Sequence, residues 1–438
     1  MRVLVVGGGG REHALVHAFA SSPLLSQLFC APGNAGIAQD ADCIPIGADD
    51  LAALLEFAKR ELVDLTVVGP ESPLVAGIAD LFAANGLAVF GPDGQAAQLE
   101  GSKEFAKEVM AAAGAPSGAY ERFTDPDAAL ARVADQKTWP VVVKADGLAA
   151  GKGVLICNDA AEARAAVEAC LIEHAFGDAG DIVLVEEFLS GSEVSLLALC
   201  DGTTVVPMAP AQDYKRIFAG DQGPNTGGMG SYCPVPGFGD DIARRVTDEV
   251  FQPVLDALRA RAISYRGVLY GGLIVTDDGI KVLEFNCRFG DPETQAILPR
   301  LDSDLLELCA AGARGELAGM SLHWTDKACV SVVMASKGYP SSSSKGDVID
   351  GLDAAAAEPD VTVYHAGTAQ KDGKVVTAGG RVLAVSALGD GFEGARERAY
   401  RALARISFPG MQSRDDVAER AVRAEHGETS LFPADLGV

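Results

Sequence analysis

The sequence predicts a multidomain protein of the α/β and α+β classes. The chain has 438 residues, several times the usual length of one domain, so we expect several packed modules. In the first of these modules, short apolar runs alternate with amphipathic stretches, which is typical of a parallel, doubly wound sheet. Farther along the chain, apolar runs are separated by short turn signals, which favours hairpins and smaller mixed sheets.

Composition and charge exclude several classes of function. The net charge is −25, so a general nucleic-acid-binding role is disfavoured because such proteins need a positive surface. No apolar stretch approaches the roughly 18 residues of a membrane span. Four glycines interrupt the short apolar run after Met1, so we expect no signal peptide. Nine scattered cysteines without a CxxC pair are typical of reduced thiols, and together these features predict a cytoplasmic protein.

The first module contains four predicted strands, each followed by a loop of turn and polar residues. The strands are expected at Val3–Val6, Leu28–Cys30, Leu65–Val68 and Ala88–Phe90, and the loops read GGGGRE, APGNAG, GPESPL and GPDG. Ligands of open α/β sheets bind at the carboxyl ends of the strands. We therefore expect the four loops to share one crevice.

Breaks in the pattern divide the rest of the chain. A helix is expected at Ser102–Ala113, and Gly114 and Pro116 then interrupt the chain. Asp277, Asp278 and Gly279 form a strong hairpin signal between two apolar strands. The predicted modules are an N-terminal domain (1–101), a central domain (102–116 and 190–326), a small α+β lid (117–189) and a C-terminal mixed α/β domain (327–438).

The first glycine-rich loop, Gly7–Gly10, imitates a dinucleotide-binding fingerprint. The fingerprint fails because Glu12 occupies the position of its third glycine and the second strand ends without a ribose-binding acid. Backbone amides at the start of the following helix could still hold an anion such as a sugar phosphate. A purely structural tight turn fits the same residues.

The second glycine-rich loop, Gly147–Gly153, is not a Walker A motif, because its glycine spacing is short and no Ser or Thr follows its lysine. It nevertheless follows a predicted strand that carries Lys144. Glycines let backbone amides approach phosphate oxygens closely, so the arrangement suits a triphosphate. A plain flexible hairpin remains an alternative.

The predicted strand IKVLEFN carries Glu284 and Asn286 on one face, and Arg288 continues that face. A carboxylate and an amide oxygen are suitable Mg²⁺ ligands when phosphates and water complete the shell. An edge-strand glutamate that faces water is the alternative. Cys287, between these residues, is expected to be a small buried hydrophobic residue.

Two polar segments complete the set of candidate functional residues. RFGDPET follows the strand directly and contains Arg288, Asp291 and Glu293. QDYKRIFAGDQGPNTGGMGSY contains Asp213, Lys215, Asn225, Thr226 and five glycines. Long loops of this composition are either functional or disordered.

In their order along the chain, these pieces resemble the ATP-grasp superfamily and, within it, the phosphoribosylamine-glycine ligase family of purine synthesis. The resemblance spans nearly the whole chain. It is carried by GGGGREHALVHAFA, APGNAG, VGPESPLVAGI, QLEGSKEFAKEVM, VVVKADGLAAGKGV, EEFLSGSEVS, QDYKRIFAGDQGPNTGGMGSYCP, EFNCRFGDPETQ and HAGT. It implies an ATP-grasp fold with a pre-ATP-grasp N-terminal domain, a lid, a central domain and a C-terminal domain, with ATP between lid and central domain.

The resemblance also implies roles for individual residues around ATP and a divalent metal. Lys103 and Lys144 would contact the ATP phosphates, and Gly147, Gly151, Lys152 and Gly153 would close over them. Glu186, Glu187, Phe188 and Leu189 would edge the adenine through backbone groups, and Glu193 would hold the ribose. Glu284 and Asn286 would ligate Mg²⁺ or Mn²⁺.

The implied reaction is an ADP-forming carbon-nitrogen ligation of glycine to 5-phosphoribosylamine through a glycyl phosphate. Arg288 and Lys144 would stabilise the transferring phosphoryl group, and Asp291 would orient an amine. The acceptor would lie near a set of loop residues from both polar segments and the N-terminal loops: Gly9, Gly10, Asn34, Asp213, Lys215, Asn225, Thr226, Gly227, Gly228, Arg288 and Glu293. We expect a monomer or weak dimer.

Three other readings are compatible with parts of the sequence. Another ATP-grasp ligase or a biotin carboxylase would keep the metal pair and the glycine-rich lid but use bicarbonate. A non-catalytic nucleotide-binding protein would bind ATP without turnover. A nicotinamide dehydrogenase ranks last because the dinucleotide fingerprint fails.

Overall fold

The N-terminal part of the chain forms a five-stranded parallel sheet flanked by helices. The computed structural model describes residues 1–148 and 153–433. Its first strands and helices are β1 (Arg2–Gly7), α1 (Gly10–Ala20), β2 (Gln27–Pro32), β3 (Asp42–Cys43), α2 (Leu51–Arg60), β4 (Leu65–Val68), α3 (Glu71–Val75), α4 (Ile78–Ala83), β5 (Val89–Phe90), α5 (Gln98–Gly101) and α6 (Lys103–Ala113). The sheet order is β3-β2-β1-β4-β5. The predicted doubly wound parallel sheet is therefore confirmed.

Three of the four loops that were expected to share a crevice, those after β1, β2 and β4, meet. A Cβ at Gly8, after β1, would lie 2.5 Å from the carbonyl oxygen of Gly33, after β2. A Cβ at Gly7 would lie 3.0 Å from Cδ of Pro70, after β4. Only glycine permits such close backbone approaches, and they bring three loops into one crevice.

The lid is an antiparallel sheet with a hydrophobic core of its own. Its elements are β6 (Tyr120–Phe123), α7 (Pro126–Ala134), β7 (Val141–Ala145), β8 (Val154–Cys157), α8 (Ala160–Leu171) and β9 (Val183–Glu187), with the sheet order β6-β9-β7-β8. Buried side chains from both helices and three of the strands form a cluster separate from the rest of the protein. The lid can therefore pack as a unit.

The central part of the chain is built on a four-stranded antiparallel sheet, β11-β10-β16-β17. Its elements and the strands of the long polar loop are β10 (Ser192–Asp201), β11 (Val205–Pro207), β12 (Gln212–Asp213), β13 (Arg216–Phe218), β14 (Gln222–Asn225), β15 (Gly230–Cys233), α9 (Asp240–Val246), α10 (Gln252–Ala260), β16 (Arg266–Thr276), β17 (Gly279–Asn286), α11 (Glu293–Ile297) and α12 (Leu305–Arg314). A π-helical turn at Thr247–Phe251 joins α9 to α10. The predicted hairpin between β16 and β17 is present.

The C-terminal part adds β18 (Ala328–Ala335), α13 (Leu352–Ala356), β19 (Val361–His365), β20 (Thr368–Lys371), β21 (Lys374–Thr377), β22 (Arg381–Gly389), α14 (Phe392–Leu403) and α15 (Glu419–Glu425). Its main sheet has the order β12-β15-β18-β22-β19. The first two strands of this sheet come from the long polar loop, so one sheet draws on both sides of the predicted boundary at 326/327. The domain boundaries themselves stay a prediction.

Two large hydrophobic clusters tie the N-terminal, central and C-terminal parts together. For example, Gly312 in α12 lies so close to the Phe90 ring that a Cβ would be 2.5 Å from it. All nine cysteines are free thiols, and Cys287 is buried as predicted. Across the described residues, every helix is too short or too polar to cross a membrane.

Candidate active site

Two lysines converge from different parts of the fold on the lid-facing side of the central sheet. Lys103 is the first residue of α6, and its Nζ donates to the Gly147 carbonyl oxygen at 3.0 Å. Lys144, in β7 of the lid, donates to the Leu283 carbonyl oxygen at 3.4 Å. Both predicted phosphate-binding lysines therefore lie next to β17, the strand of Glu284.

Glu284 is the carboxylate on which these cations act. Its side chain is open to solvent within the cleft. Desolvation by the walls of the cleft would raise the pKa of Glu284. The positive charges of Lys215, Lys144 and Lys103 outweigh this effect and hold the pKa below its usual value. Glu284 is therefore ionised at neutral pH. Because three lysines already surround it, a metal cation is expected to bind there only together with anionic groups such as phosphates.

Asn286 lies two residues along β17, on the same face as Glu284. Within residues 1–148 and 153–433, no group of three or more His, Cys, Asp or Glu side chains is arranged to hold a metal alone. One ionised carboxylate and one amide suit Mg²⁺, which usually keeps phosphate oxygens and water in its shell. The donor set thus fits a metal that arrives with a nucleotide.

Glu186 has a side-chain environment that the sequence did not reveal. It is buried between two lysines, with its Oε2 at 2.9 Å from Lys144 Nζ and 3.2 Å from Lys107 Nζ. Its Oε1 has no hydrogen-bond partner. The contact of its backbone with adenine stays a prediction. Its side chain holds Lys144 in place through the ion pair.

Lys107 is a site residue that sequence reasoning missed. It lies one helical turn after Lys103 in α6, so the i, i+4 spacing could have indicated a shared face. It also donates to the Gly118 carbonyl oxygen at 3.2 Å. Burial lowers the pKa of Lys107, and Glu186 opposes that effect. A helix lysine normally faces water, which is why the sequence alone did not single it out.

The segment after β9 joins the lid to the central sheet. The Glu187 amide donates to Ala119 O at 2.8 Å, and Glu187 Oε2 accepts the Ala119 amide at 3.1 Å. Phe188 and Leu189 follow and are half-buried. Their predicted place beside the adenine fits this junction and stays a prediction.

The glycine-rich loop is only partly described. Gly147 has φ +116°, a conformation that favours glycine, and the Gly153 carbonyl accepts the Ala145 amide at 2.8 Å. Gly151 and Lys152 lie outside the described residues. The loop therefore begins and ends beside β7, the strand of Lys144.

Asp213, Lys215 and Glu193 form a cluster of charged side chains near Glu284. Lys215 Nζ pairs with Glu193 Oε2, so the predicted ribose-binding carboxylate is held by a predicted acceptor-site lysine. Burial alone would lower the pKa of Lys215, but Glu193 and Asp213 keep that pKa well above its usual value. Burial raises the pKa of Asp213 to about 7 against the effect of Lys215.

Arg288 is held by two carboxylates from the N-terminal part. Its Nε lies 3.3 Å from Glu71 Oε2, and one terminal nitrogen lies 2.8 Å from Glu100 Oε1. The other terminal nitrogen donates to Phe289 O at 3.3 Å. Three of the five N–H groups are thus used, and two remain for a ligand. Both glutamates were overlooked, although each stands in a motif that carried the resemblance.

Asp291 lies beside the first glycine-rich loop. Its Oδ1 accepts from Gln295 at 2.8 Å, and its Oδ2 lies 3.1 Å from Arg381. A Cβ at Gly9 would lie 3.8 Å from Oδ2, and a Cβ at Gly10 would lie 2.7 Å from Gln295 Nε2. The two predicted glycines are therefore next to the predicted amine-orienting carboxylate.

Some predicted acceptor-site groups already have protein partners. The Gly9 amide donates to Glu12 Oε2, so fewer backbone N–H groups are free to bind a phosphate than the sequence suggested. The Asn34 side chain donates to Gly8 O and His365 O and accepts two backbone amides. Asn34 thus shapes the crevice through its side chain.

Glu293 and the turn at Asn225–Gly228 are also engaged within the protein. The buried Glu293 Oε1 accepts from Ser195 and Tyr270, both at 2.9 Å. Thr226 Oγ1 donates to Lys215 O at 2.8 Å and accepts the Gly228 amide at 3.0 Å. Asn225 is exposed, and Gly228 has φ +108°. The turn is built around Lys215, and ligand contacts of these residues stay a prediction.

A lid lysine next to a central-sheet carboxylate, the arrangement of Lys144 and Glu284, is typical of the ATP-grasp class of proteins. The family models agree with this class: phosphoribosylglycinamide synthetase N domain matches residues 1–100, its ATP-grasp (A) domain matches 101–294, and its C domain matches 329–420. The chain belongs to the phosphoribosylglycinamide synthetase family, as the sequence motifs predicted.

Relatives and solved structures agree with this membership. The phosphoribosylamine-glycine ligase of Caldanaerobacter subterraneus is 50% identical over 95% of this chain and 99% of its own. That of Streptomyces coelicolor is 50% identical over 97% and 100%. The Thermotoga maritima phosphoribosylamine-glycine ligase structure has 34% identity and a TM-score of 0.84, covering 95% of this chain and 100% of its own.

A biotin carboxylase domain from Hydrogenobacter thermophilus, solved with MgADP and bicarbonate, has a TM-score of 0.71 at 17% identity. It covers 96% of this chain and 98% of that chain. At that identity the likeness shows the fold alone. The ATP-grasp fold predicted from the sequence is confirmed.

Replacement of Glu186 by glutamine should destabilise the lid junction. The change leaves two largely buried lysines without their carboxylate, and breaking such a buried pair costs about 3–5 kcal/mol. We expect a lower free energy of unfolding, measured by urea denaturation, and weaker ATP binding because Lys144 loses its anchor.

Glu168→Gln is the matched control. It removes a carboxylate from the same lid that pairs with Arg164 on an exposed helix face, where a pair contributes about 0.3–0.5 kcal/mol. Equal losses in the two variants would contradict the structural role assigned to Glu186.

Replacement of Asp213 by asparagine should change the pH dependence of stability. A carboxyl with a raised pKa binds more protons in the folded state than in the unfolded state between pH 3.8 and about 7. Proton binding at Asp213 therefore stabilises the folded wild-type protein at low pH, and this stabilisation is lost as the pH rises through that window. The Asp213→Asn variant should gain stability relative to wild type over the same window in thermal unfolding.

The exposed turn residue Asp278 supplies the control. Asp278→Asn should follow the wild-type pH profile. A stability difference between Asp213→Asn and wild type that stays constant from pH 4 to pH 8 would refute the raised pKa.

Proposed function

We propose that this protein is an ADP-forming ligase that joins glycine to 5-phosphoribosylamine, giving glycinamide ribonucleotide, ADP and phosphate. One observation carries the proposal: Lys103, Lys144 and Lys215 come from separate parts of the fold and surround the ionised Glu284. The family membership adds the substrates, because the curated relatives are phosphoribosylamine-glycine ligases.

The chemistry requires activation of glycine. A carboxylate resists attack by an amine because it is anionic and its leaving group is poor. A glycine carboxylate oxygen attacks the γ-phosphorus of ATP, the bond from that phosphorus to the ADP oxygen breaks, and glycyl phosphate forms. Lys103 and Lys144 lie on the lid-facing side of β17 and would stabilise the negative charge of the reacting phosphates in place.

Glu284 and Asn286 would hold Mg²⁺ or Mn²⁺, which neutralises charge on the phosphate oxygens when bound. Glu284 fits because the lysines keep it ionised before a metal arrives. Arg288 has two N–H groups to offer the transferring phosphoryl group, and Glu71 and Glu100 fix its position.

The second step joins the two substrates. The amine of phosphoribosylamine attacks the carbonyl carbon of glycyl phosphate, the carbon-oxygen bond to phosphate breaks, and the nitrogen loses a proton. Asp291 is suited to orient this amine: burial works to raise its pKa, but Arg381 and Arg11 hold the pKa below its usual value, so it stays an acceptor. The lid excludes water from the acyl phosphate.

The proposal includes a setting for the enzyme. Free cysteine thiols and a net charge of −25 support a cytoplasmic enzyme of purine biosynthesis that acts on small molecules and not on nucleic acid. We propose that the protein is a monomer or a weak dimer. Sedimentation, which measures the mass of the assembly, would test this proposal.

ADP release should require ATP, glycine and freshly generated phosphoribosylamine together. Glu284→Gln should lower kcat about a hundredfold or more because it removes the charged metal ligand. Glu316→Gln, which removes an exposed carboxylate paired with Arg314, should leave kcat unchanged.

The acceptor test separates this function from its rivals. ADP release with bicarbonate and not with glycine would contradict the proposed reaction and leave the fold assignment intact. ATP binding without ADP release in every mixture would instead indicate a non-catalytic nucleotide-binding protein.

A further inference from the structure

We infer that Arg381, in the C-terminal part of the chain, is a positioning residue for the phosphoribosylamine end of the site. It holds the Asp291 carboxylate and the turn that contains Gly227 in one fixed arrangement. The inference rests on the proposed function and assigns the C-terminal part a role in it.

One guanidinium group connects three acceptors. Arg381 is the first residue of β22, where the pairing with β18 is irregular. One terminal nitrogen donates to Gly227 O at 2.6 Å and to Asp291 O at 2.9 Å. The other lies 3.1 Å from Asp291 Oδ2. A planar, forked cation can bridge such a set, whereas the point charge of a lysine cannot.

The turn is held on both sides of Gly227. The Gly227 amide donates to the Tyr339 hydroxyl at 3.0 Å, while its carbonyl accepts from Arg381. A Cβ at Gly227 would lie 3.1 Å from Cζ of Arg381, so the guanidinium packs directly on the glycine. The Tyr339 ring lies against Gly380, the neighbour of Arg381. Two C-terminal side chains therefore fix the two peptide groups on either side of the Gly227 Cα.

Charge makes the arrangement durable. Burial works to lower the pKa of Arg381, but Asp291 raises it above its usual value. Both side chains are about one-fifth exposed, at 21% for Arg381 and 18% for Asp291, so water screens the pair only in part. Loss of the arginine would remove the partner of Asp291 Oδ2 and leave Oδ1 bonded to Gln295, so the carboxylate would be held less firmly beside the Gly9 loop.

The location predicts which substrate is affected. The ATP side of the site is held by α6, β7 and β9, through Lys107, Lys144 and Glu186. Arg381 instead joins Asp291 and Gly227, next to the first glycine-rich loop. Loss of Arg381 should therefore weaken the binding of the acceptor amine and leave the binding of the nucleotide unchanged.

The test measures kcat and a KM for each substrate in Arg381→Ala, Arg381→Lys and Tyr339→Phe. Arg381→Ala should raise the KM for phosphoribosylamine about tenfold or more and leave the KM for ATP within about twofold. Added guanidinium ion should restore part of the loss. Arg381→Lys should fall between Arg381→Ala and wild type, and Tyr339→Phe should raise the same KM by about threefold.

Arg405→Ala is the matched control, because Arg405 is a C-terminal arginine paired with Glu358 on an exposed surface. It should match wild type in every KM. A merely structural role for Arg381 predicts a lower melting temperature with parallel changes in all three KM values and no guanidinium rescue, and that result would overturn the inference.

The failure modes are distinct. An active wild-type enzyme with an unchanged phosphoribosylamine KM in Arg381→Ala would refute the positioning role alone. A wild-type enzyme that releases no ADP with glycine and phosphoribosylamine would refute the proposed function, and the positioning role with it.

Discussion

The site depends on one electrostatic constraint: Glu284 stays ionised in a protein-lined cleft because lysines from separate parts of the fold surround it. Lys103 belongs to α6, Lys144 to the lid and Lys215 to the long polar loop. The lysines repel one another, so Glu284 and Glu186 are needed to hold them together. A phosphate chain with its divalent metal is a natural occupant, since it brings both signs of charge.

The sequence was sufficient for features set by local periodicity. Alternation in β17 placed Glu284 and Asn286 on one face, and the Asp277–Gly279 turn predicted the hairpin that presents them. The sequence was insufficient where a side chain's partner is distant along the chain. Arg288 pairs with Glu71 and Glu100, which only the packed N-terminal helices bring near. Such pairings depend on tertiary structure, for which a single sequence has no periodic signal.

The C-terminal part is integrated with the site. Its main sheet includes β12 and β15, which border the loop of Lys215, so the loop is anchored at both ends by strand pairing. The sequence indicated this loop as either functional or disordered. The strand pairing orders both flanks of the loop, and its role in binding stays a prediction. Asn34 adds a second connection, from the crevice to His365 O.

In the proposed reaction, ATP activates the glycine carboxylate. The most direct measurement uses glycine in which both carboxylate oxygens are the heavy isotope and follows the label by mass spectrometry of the released phosphate. Transfer through glycyl phosphate predicts that each phosphate carries one labelled oxygen, because the carbon-oxygen bond breaks in the second step. Phosphate without label, with the label retained wholly in other products, would contradict the account.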